Sequence, residues 1–301
     1  MTNKEKYIQL CANENYADKI PLFALPFWLD EVAENWDVCI VGDASTKLSM
    51  TSVIAVLPYC WKGNLITKRI YLPDLSFYQS VIFLKNDLSL KEKNKIAAEL
   101  FKQLPKTVKS YFKFLPEYID VDLSELNYQK EDYSTYIIDK KQQVLSLSTN
   151  HKRNIQKGIK QEYIVEESKN IDTSFALLTS TFERQHITSK INFDTFKKIN
   201  LLGRKYNFGK TIDCFDKNKN LLASIFIVID KQSAYYLLGG YSTEFKNSGA
   251  MTFLLHDVVQ TAIKQQKDFN FCGSSKKGIA TFFEGFGATK TSITIWKKSL
   301  L

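Results

Sequence analysis

The stretch from Tyr235 to Lys298 constrains the fold of this chain more than any other part of its sequence. It predicts a strand, a glycine-containing turn, a helix and a second strand, followed by the segment GSSKKGIATFFEGFGA. A strand that feeds the N-terminus of a helix, beside a glycine-rich aromatic segment, is typical of folds that transfer acyl groups. The arrangement therefore favours the hypothesis that the chain moves an acyl group onto an amine.

Length and loop composition predict two domains. At 301 residues the chain is long enough for two cores of about 150 residues each. All six prolines lie between Pro21 and Pro116, whereas ten of the twelve glycines lie from Gly158 onward. This shift predicts a first domain over residues 1–145 and a second over residues 146–301.

The net charge of +9 favours polyanionic partners, namely RNA, nucleotides, phosphorylated substrates or an anionic membrane surface. A basic protein without any such partner has the same composition. Charge alone therefore leaves both interpretations open.

Cysteine and histidine usage argues against disulfides and metal sites. The five cysteines form no CxxC pair and lie mostly in apolar runs, which predicts reduced thiols and a cytoplasmic location. The three histidines are not spaced with cysteines or carboxylates as metal ligands are, so we expect no bound metal. No apolar run reaches the roughly 18 residues of a transmembrane helix, and the first residues lack a signal-peptide core.

The first domain is predicted to contain apolar strands around one long helix. Ser89 is the expected N-cap of that helix, which runs from Leu90 to Lys102 and stops before Pro105. After an opening helix, the second domain is predicted to contain a strand, two helices, three antiparallel strands, a helix, a strand, a helix and a strand. The fold class is thus α/β, with mixed sheets of the α+β type.

This order of elements resembles the GNAT acyltransferase fold, and two GNAT-like halves in tandem resemble the FemAB family of peptidyltransferases. The resemblance is carried by STNHKRNIQK at residues 148–157, FCGSS at 271–275 and GIATFFEGFGA at 278–288. It implies two acyl-CoA N-acyltransferase-like domains and transfer from aminoacyl-tRNA or acyl-CoA to an amine, as in enzymes of cell-wall synthesis. It also implies direct attack within a ternary complex and no tightly bound cofactor.

Two departures from the family pattern bear on the mechanism. Phe283 stands where the family has a lysine that stabilises developing negative charge. No long heptad hairpin interrupts the second half, so the coiled-coil arm of some members is not expected. The resemblance therefore implies the architecture more directly than the lysine-assisted chemistry.

The catalytic candidates are an oxyanion site and two proton acceptors. Gly239 and Gly240 lie where a bulged strand is expected to bring a backbone N–H to the substrate carbonyl, although a plain strand end explains them equally well. Glu284 is a candidate base that would face the cleft in place of the missing lysine, and His186 is another. A structural role suits His186 equally.

Substrate contacts are assigned to basic and polar residues. Arg184, at a helix end, resembles the arginine that holds the acceptor phosphate in FemX-type enzymes, although a helix C-terminus also favours arginine for structural reasons. Lys246 and Gly249 partly match the pyrophosphate turn of CoA-dependent GNATs, for which an ordinary N-capping turn is the alternative. The remaining candidates are Lys152 and Arg153 for phosphate, Asp74 and Tyr78 for the acceptor, and Phe283 for the pocket wall. For these, a solvated helix face, a turn and core packing are the respective structural alternatives.

Three functional hypotheses stand at this point. The first is a FemAB-like acyl or aminoacyl transferase that acts on an amine, with a cell-envelope precursor as acceptor. The second is an acyl-CoA-dependent N-acyltransferase of a small molecule or peptide. The third is a non-catalytic RNA- or nucleotide-binding protein with the same fold. The sequence indicates no oligomeric state.

Overall fold

A computed structural model describes residues 1–42, 53–142, 144–184, 188, 191–273 and 276–300. The chain divides into two compact units, Met1–Tyr133 with Ser292–Leu301, and Ser134–Thr291. The boundary lies before the predicted one at residues 145/146, and the C-terminal segment belongs to the first unit instead of the second. The two boundaries between the units, at 133/134 and 291/292, both fall within strands, so the distribution of prolines and glycines did not indicate them.

The first unit contains three short N-terminal helices, a sheet and one longer helix. Its elements are α1 (Asn3–Cys11), α2 (Glu14–Ala17), α3 (Pro26–Val32), β1 (Asn35–Gly42), β2 (Val53–Lys62), β3 (Arg69–Tyr71), β4 (Ile82–Phe83), α4 (Leu90–Lys102) and β5 (Lys109–Lys113). β2 is antiparallel to β1, β3 and β4, whereas β3 and β5 are parallel.

Capping residues determine where two of these helices begin. Ser89 Oγ accepts a hydrogen bond from the Glu92 N–H while the Glu92 carboxylate accepts one from the Ser89 N–H, and this pair starts α4 at Leu90. Both ends of α4 are as predicted. α1 was not predicted, although Thr2 and Glu5 form the same reciprocal pair at its start. Tyr7 is the largest side chain that α1 buries.

Alternation along β1 and β2 supplies a core to each face of the first sheet. Cys39 and Val41 pack in one cluster with residues of α4, including Phe101. Val38 and Ile40 pack in the other cluster, with residues of α1 and α3. The sheet is therefore covered by helices on both faces.

The second unit is a mixed sheet with helices packed against it. Its elements are β6 (Gln129–Ile138), α5 (Thr149–Lys160), β7 (Ile164–Glu167), α6 (Ile171–Arg184), α7 (Phe193–Tyr206), β8 (Gly209–Phe215), β9 (Leu221–Ile229), β10 (Ser233–Tyr241), α8 (Ala250–Lys264), β11 (Asp268–Asn270) and α9 (Lys277–Glu284). The strand order is β6-β11-β10-β9-β8-β7, in which β10 and β11 alone are parallel. A final strand, β12 (Thr289–Ser299), returns to the first unit and pairs antiparallel with β5.

The predicted order of elements in the second unit is confirmed, including the helix α9 within the glycine-rich aromatic segment. α8 is the central helix, since Leu254, Leu255 and Val259 are fully buried in one cluster with residues from β8 to β11. None of the helices in the described part of the chain has the length and hydropathy needed to cross a membrane.

Candidate active site

A pocket opens in the second unit where β10 and β11 separate. The two strands pair only over Ser233–Tyr235 and Asp268–Asn270, after which β10 continues to Tyr241 while β11 ends. A bulge at Leu237 shifts the register of β10 against β9 at the same point. The pocket has a volume of about 1070 Å³ and is walled by β10, the start of α8 and parts of α5, α6 and α9. Beyond Tyr235, the side of β10 that β11 covered therefore borders a ligand-sized space.

The N-terminus of α8 forms one wall of this pocket. Gly249 is its N-cap at φ +76°, and Ala250, Met251 and Thr252 follow along the wall. A Cβ on Gly249 would lie 2.9 Å from Asn154 Cβ, so both the backbone conformation and the contact with α5 require glycine. The first N–H groups of a helix have no intrahelical acceptor, and they carry the positive end of the helix dipole. This wall is suited to an anionic group.

The turn before α8 is held in place by two side chains from outside it. Lys157 Nζ donates a hydrogen bond of 2.8 Å to the Asn247 carbonyl, and Tyr163 Oη donates one of 3.1 Å to the Ser248 carbonyl. Ser248 Oγ in turn accepts from the Ala250 N–H. Lys157 therefore has a structural role at this site.

The charged side chains along the pocket are all cationic. Arg153, Arg184 and Lys246 line it, and no aspartate, glutamate or histidine occurs among its described lining residues. Their positive charges add to the dipole of α8, so the electrostatic potential of the pocket favours an anionic ligand.

Arg184 is the most firmly held of the three cations. Its Nη1 donates to Ser180 Oγ at 2.9 Å and to the Tyr241 carbonyl at 3.1 Å, while Nη2 donates to Thr181 Oγ1 at 2.8 Å. The guanidinium carbon also lies 4.4 Å from the centroid of the Tyr241 ring. The guanidinium is thus fixed in one orientation at the pocket wall, with both hydrogens of Nη1 and one of Nη2 donated within the protein, so the edge formed by Nε and Nη2 is the one on which a phosphate could be bound.

No family model and no curated sequence matches this chain. Among solved structures, FemX superposes with a TM-score of 0.66 at 13% identity, covering 98% of this chain and 96% of FemX. The chain has a FemX-like fold. The C-terminal domain of a putative lysylphosphatidylglycerol synthetase from Agrobacterium fabrum follows at TM-score 0.54 and 10% identity, covering 87% and 84% of the two chains. A tandem GNAT protein of the clavulanic acid biosynthesis pathway matches at TM-score 0.51 and 8% identity, over 99% and 94%.

These likenesses confirm two GNAT-like domains and the expected FemAB-type architecture. Within this FemX-like fold, the structure brings Arg184, Arg153, Lys246, Gly249 and Gly239 together around one pocket. The other predicted site residues lie elsewhere or have different surroundings from those expected.

The bulge and the two glycines of β10 differ from expectation. The register shift lies between Tyr236 and Leu238, before the predicted place at Gly239 and Gly240. Gly240 does not line the pocket: a Cβ there would lie 2.0 Å from the Leu177 carbonyl oxygen, so its absence lets α6 approach the sheet. Gly239 does line the pocket, but the group that approaches it is the Tyr236 phenol.

Phe283 belongs to the core of the FemX-like fold as well as to the pocket wall. It is 3% exposed and stacks on Phe271 with ring centroids 4.5 Å apart. It also meets the rings of Tyr136 and Tyr236 at 5.8 and 6.1 Å. The position at which the FemAB resemblance implies a lysine is therefore filled by an apolar side chain packed against these three aromatic rings.

Glu284 and Lys152 were predicted to face the site, and neither lines the pocket. Glu284 is exposed and does not line the pocket, because α9 turns Phe282 and Phe283 toward it instead. Lys152 is exposed on α5, whereas the next residue, Arg153, lines the pocket. His186 lies outside the described residues.

Asp74 and Tyr78 belong to the first unit, and neither lines the pocket of the second. Asp74 is exposed. Tyr78 is 4% exposed and packs edge-on against Phe77 at 4.6 Å, beside a cavity of only about 20 Å³. The turn accounts for Asp74, and core packing accounts for Tyr78.

Sequence reasoning missed Tyr236, which lies beside the bulge in the pocket wall. Burial raises the pKa of its phenol above the ordinary value, so Tyr236 stays protonated at neutral pH. Spacing gave no signal for this residue, because positions three apart in a regular strand face opposite sides, and only the bulge at Leu237 puts Tyr236 and Gly239 on the same side of β10. Asn150 and Asn154 were also missed; both lie on α5 and line the pocket.

His151, near the start of α5, is buried. It is 4% exposed, and its Nδ1 lies 2.8 Å from Ser148 Oγ, the N-cap of α5. The ring packs at 4.4 Å from Phe286, and a Cβ on Gly285 would lie 2.2 Å from its Cε1. Burial lowers the pKa of His151, an effect that the Phe282 backbone partly offsets, so the ring is neutral at pH 7.

Metal and thiol chemistry find little support in the described part of the chain. No group of three or more histidine, cysteine, aspartate or glutamate side chains suited to a metal ion occurs there. The five cysteines are free, and burial raises the pKa of Cys39 and Cys214 to about 12, which keeps these two protonated at neutral pH.

Proposed function

We propose that this protein is an acyl or aminoacyl transferase that moves an activated carboxyl group from a phosphate-bearing carrier onto an amine. The observation that carries this proposal is the meeting, in one pocket, of a bulged strand that β11 no longer covers, the N-terminus of α8 and three cations. The likeness of fold to FemX, a lysylphosphatidylglycerol synthetase domain and a tandem GNAT protein is compatible with it.

The proposed chemistry is direct attack. The amine nitrogen forms a bond to the carbonyl carbon, whose π electrons move to the oxygen, and that oxyanion accepts a hydrogen bond from an N–H of β10 beside Leu237. Collapse breaks the bond to the carrier, whose departing oxygen or sulfur takes a proton from the Tyr236 phenol. The proton lost by the attacking amine then restores the phenol, so the products are an amide and the protonated carrier.

The cations are assigned to the carrier and the acceptor. Lys246 and Arg153 lie beside the N-terminus of α8 and would bind phosphates of the donor, while the fixed fork of Arg184 would bind a phosphate of the acceptor. A FemAB-like reaction with aminoacyl-tRNA as donor and a cell-envelope precursor as acceptor is the specific form that we propose.

An acyl-CoA-dependent N-acyltransferase is the second candidate. The observation that favours it is the positive-φ Gly249 at the start of a 15-residue helix, where N–H groups would cradle a pyrophosphate. Met251 occupies the pocket wall two residues later, at the position where CoA-dependent enzymes have a small residue. This bulk favours aminoacyl-tRNA over CoA.

A mass-spectrometric screen for transfer to amine acceptors, with aminoacyl-tRNA and acyl-CoA donors, tests the proposal. We expect transfer from aminoacyl-tRNA by the wild type and a raised KM for the acceptor in Arg184→Ala. Tight CoA binding by calorimetry together with transfer from acyl-CoA alone would favour the second candidate. Salt-sensitive RNA binding without transfer from any donor would instead support the non-catalytic hypothesis and refute both enzymatic ones.

A further inference from the structure

The turn between β2 and β3 presents two adjacent apolar side chains to solvent. Leu65 is 94% exposed and Ile66 is 82% exposed. Single exposed apolar residues are ordinary on protein surfaces, but two neighbouring aliphatic side chains at the tip of a hairpin gain nothing from folding. We call residues 62–69 the β2–β3 tip.

The β2–β3 tip is an ordered turn. Asn64 Oδ1 accepts hydrogen bonds of 3.0 Å from the N–H groups of both Ile66 and Thr67, and one of 3.1 Å from Thr67 Oγ1. The Asn64 N–H donates back to Thr67 Oγ1 at 3.2 Å. Gly63 supplies the positive φ, of +92°, that the turn needs. Leu65 and Ile66 are therefore held outward by a network of hydrogen bonds.

Cations surround the base of this tip. Lys62 lies at one end of the tip and Lys68 and Arg69 at the other, and Arg69 is the register partner of Lys109 where β3 runs beside β5. Lys62 Nζ lies 4.3 Å from the Tyr71 ring centroid, and Lys68 Nζ lies 4.1 Å from that of Trp61. Two carboxylates also act on the Tyr71 phenol: that of Asp74, and that of Glu34, which precedes β1 and whose N–H donates to Tyr71 Oη. The tip thus has an apolar end above a basic and aromatic collar.

We propose that the β2–β3 tip docks the protein onto an anionic lipid surface. Leu65 and Ile66 enter the boundary between headgroups and acyl chains, and Lys62, Lys68 and Arg69 contact lipid phosphates. Trp61 and Tyr71 lie at the depth where amphipathic rings are stable in a bilayer interface. Charge complementarity selects anionic lipid, and the size of the tip argues against a protein partner, since stable interfaces bury about 800 Å² on each side.

Vesicle co-sedimentation of the full chain tests this proposal. We expect binding to vesicles of phosphatidylcholine with phosphatidylglycerol and much weaker binding to phosphatidylcholine alone. The pair Leu65→Gln and Ile66→Gln should lower the affinity by roughly tenfold or more. The matched control is the pair Ile159→Gln and Leu201→Gln, whose side chains are 56% and 53% exposed on helices of the second unit and should leave binding unchanged.

A second pair of variants separates charge from apolar insertion. Lys68→Gln with Arg69→Gln should lower the affinity by roughly fivefold per cation and make binding less sensitive to salt, whereas Lys91→Gln with Lys95→Gln on α4 should not. Thermal unfolding of each variant checks that the fold is retained. The proposal is overturned if the wild type does not bind the anionic vesicles, or if the Leu65 and Ile66 pair leaves binding intact. It is also overturned if that pair instead abolishes a concentration-dependent dimer in sedimentation velocity, which would make the tip an interface between copies.

Discussion

The phenol oxygen of Tyr236 occupies the space that a β-carbon on Gly239 would need: the two atoms would be 1.7 Å apart. Both residues lie on β10 at the pocket wall, on either side of the bulged segment. Gly239 therefore does not serve a close approach by substrate; its missing side chain allows the Tyr236 ring to lie along the strand. The phenol can keep this position only while residue 239 has a hydrogen atom in place of a side chain.

Gly239→Ala should displace the Tyr236 ring and lower the rate of transfer by about 10–100-fold, since small displacements of a catalytic group have large effects on rate. Gly278→Ala is the matched control, because Gly278 also lines the pocket but an added Cβ meets nothing within 4 Å. Steady-state kinetics of the two variants and of Tyr236→Phe check the prediction. Equal rates for Gly239→Ala and Gly278→Ala would remove Tyr236 from the mechanism.

Arg153→Gln should weaken binding of a phosphate-bearing donor by roughly tenfold, because a charge-assisted contact is lost. Lys152→Gln removes the same charge one residue earlier on α5, from a side chain that does not line the pocket, and should have little effect. Fluorescence titrations at two salt concentrations check this pair. A matching loss of affinity in both variants would show that only the overall charge of the helix matters.

Phe283→Lys should destabilise the protein by roughly 3–5 kcal/mol, because it removes a buried ring and places a charge in an apolar cluster. Introducing the family's lysine is therefore not expected to create a lysine-assisted site. Phe283→Leu should cost much less, since it keeps an apolar side chain in place. Thermal unfolding monitored by circular dichroism measures the difference; a Phe283→Lys variant as stable as the leucine variant contradicts it.

The buried ring of His151 predicts a loss of stability in mild acid. Because burial lowers its pKa below the ordinary 6.5, the unfolded chain binds more protons than the folded one as the pH falls. The contribution of the neutral ring is complete above about pH 6.5 and declines as the pH falls toward the lowered pKa. Between about pH 7.5 and 5, His151→Phe should lose less of its free energy of unfolding than the wild type.

Urea unfolding at both pH values measures this difference, and equal losses would show that His151 does not titrate differently in the two states. Burial raises the pKa of Asp213, which acts in the opposite direction. That carboxyl is present in both proteins, so its effect cancels in the comparison.

Local signals in the sequence predicted the elements well, and pairing between distant strands explains what they missed. Ser89 as N-cap and the stop before Pro105 placed α4 between its observed ends. The bulge was placed too late because its position depends on how β10 registers against β9, which no local pattern encodes. Arg184 was predicted from its place at the end of a helix and lines the pocket, whereas the place of Tyr236 in the pocket wall depends on a ring folded back over Gly239.

Because pairing between distant strands is not visible in local patterns, the sequence also did not indicate which residues belong to the same unit. The run from Ser292 has the composition of any apolar strand, and nothing in it indicates a partner as far back as β5. Glu284 was expected in the cleft because it is adjacent to Phe283 in sequence. The orientation of α9 buries Phe283 and leaves Glu284 exposed.

The return of β12 to the first unit also sets the order of events on the ribosome. β5 acquires its antiparallel partner, and the core around Phe101 acquires Trp296, only after every residue of the second unit has been synthesised. The usual sequence, in which the N-terminal domain is finished first, is therefore reversed for this edge of the sheet. During that interval the nascent chain carries an open strand edge, the kind of surface on which chaperones act and aggregation begins.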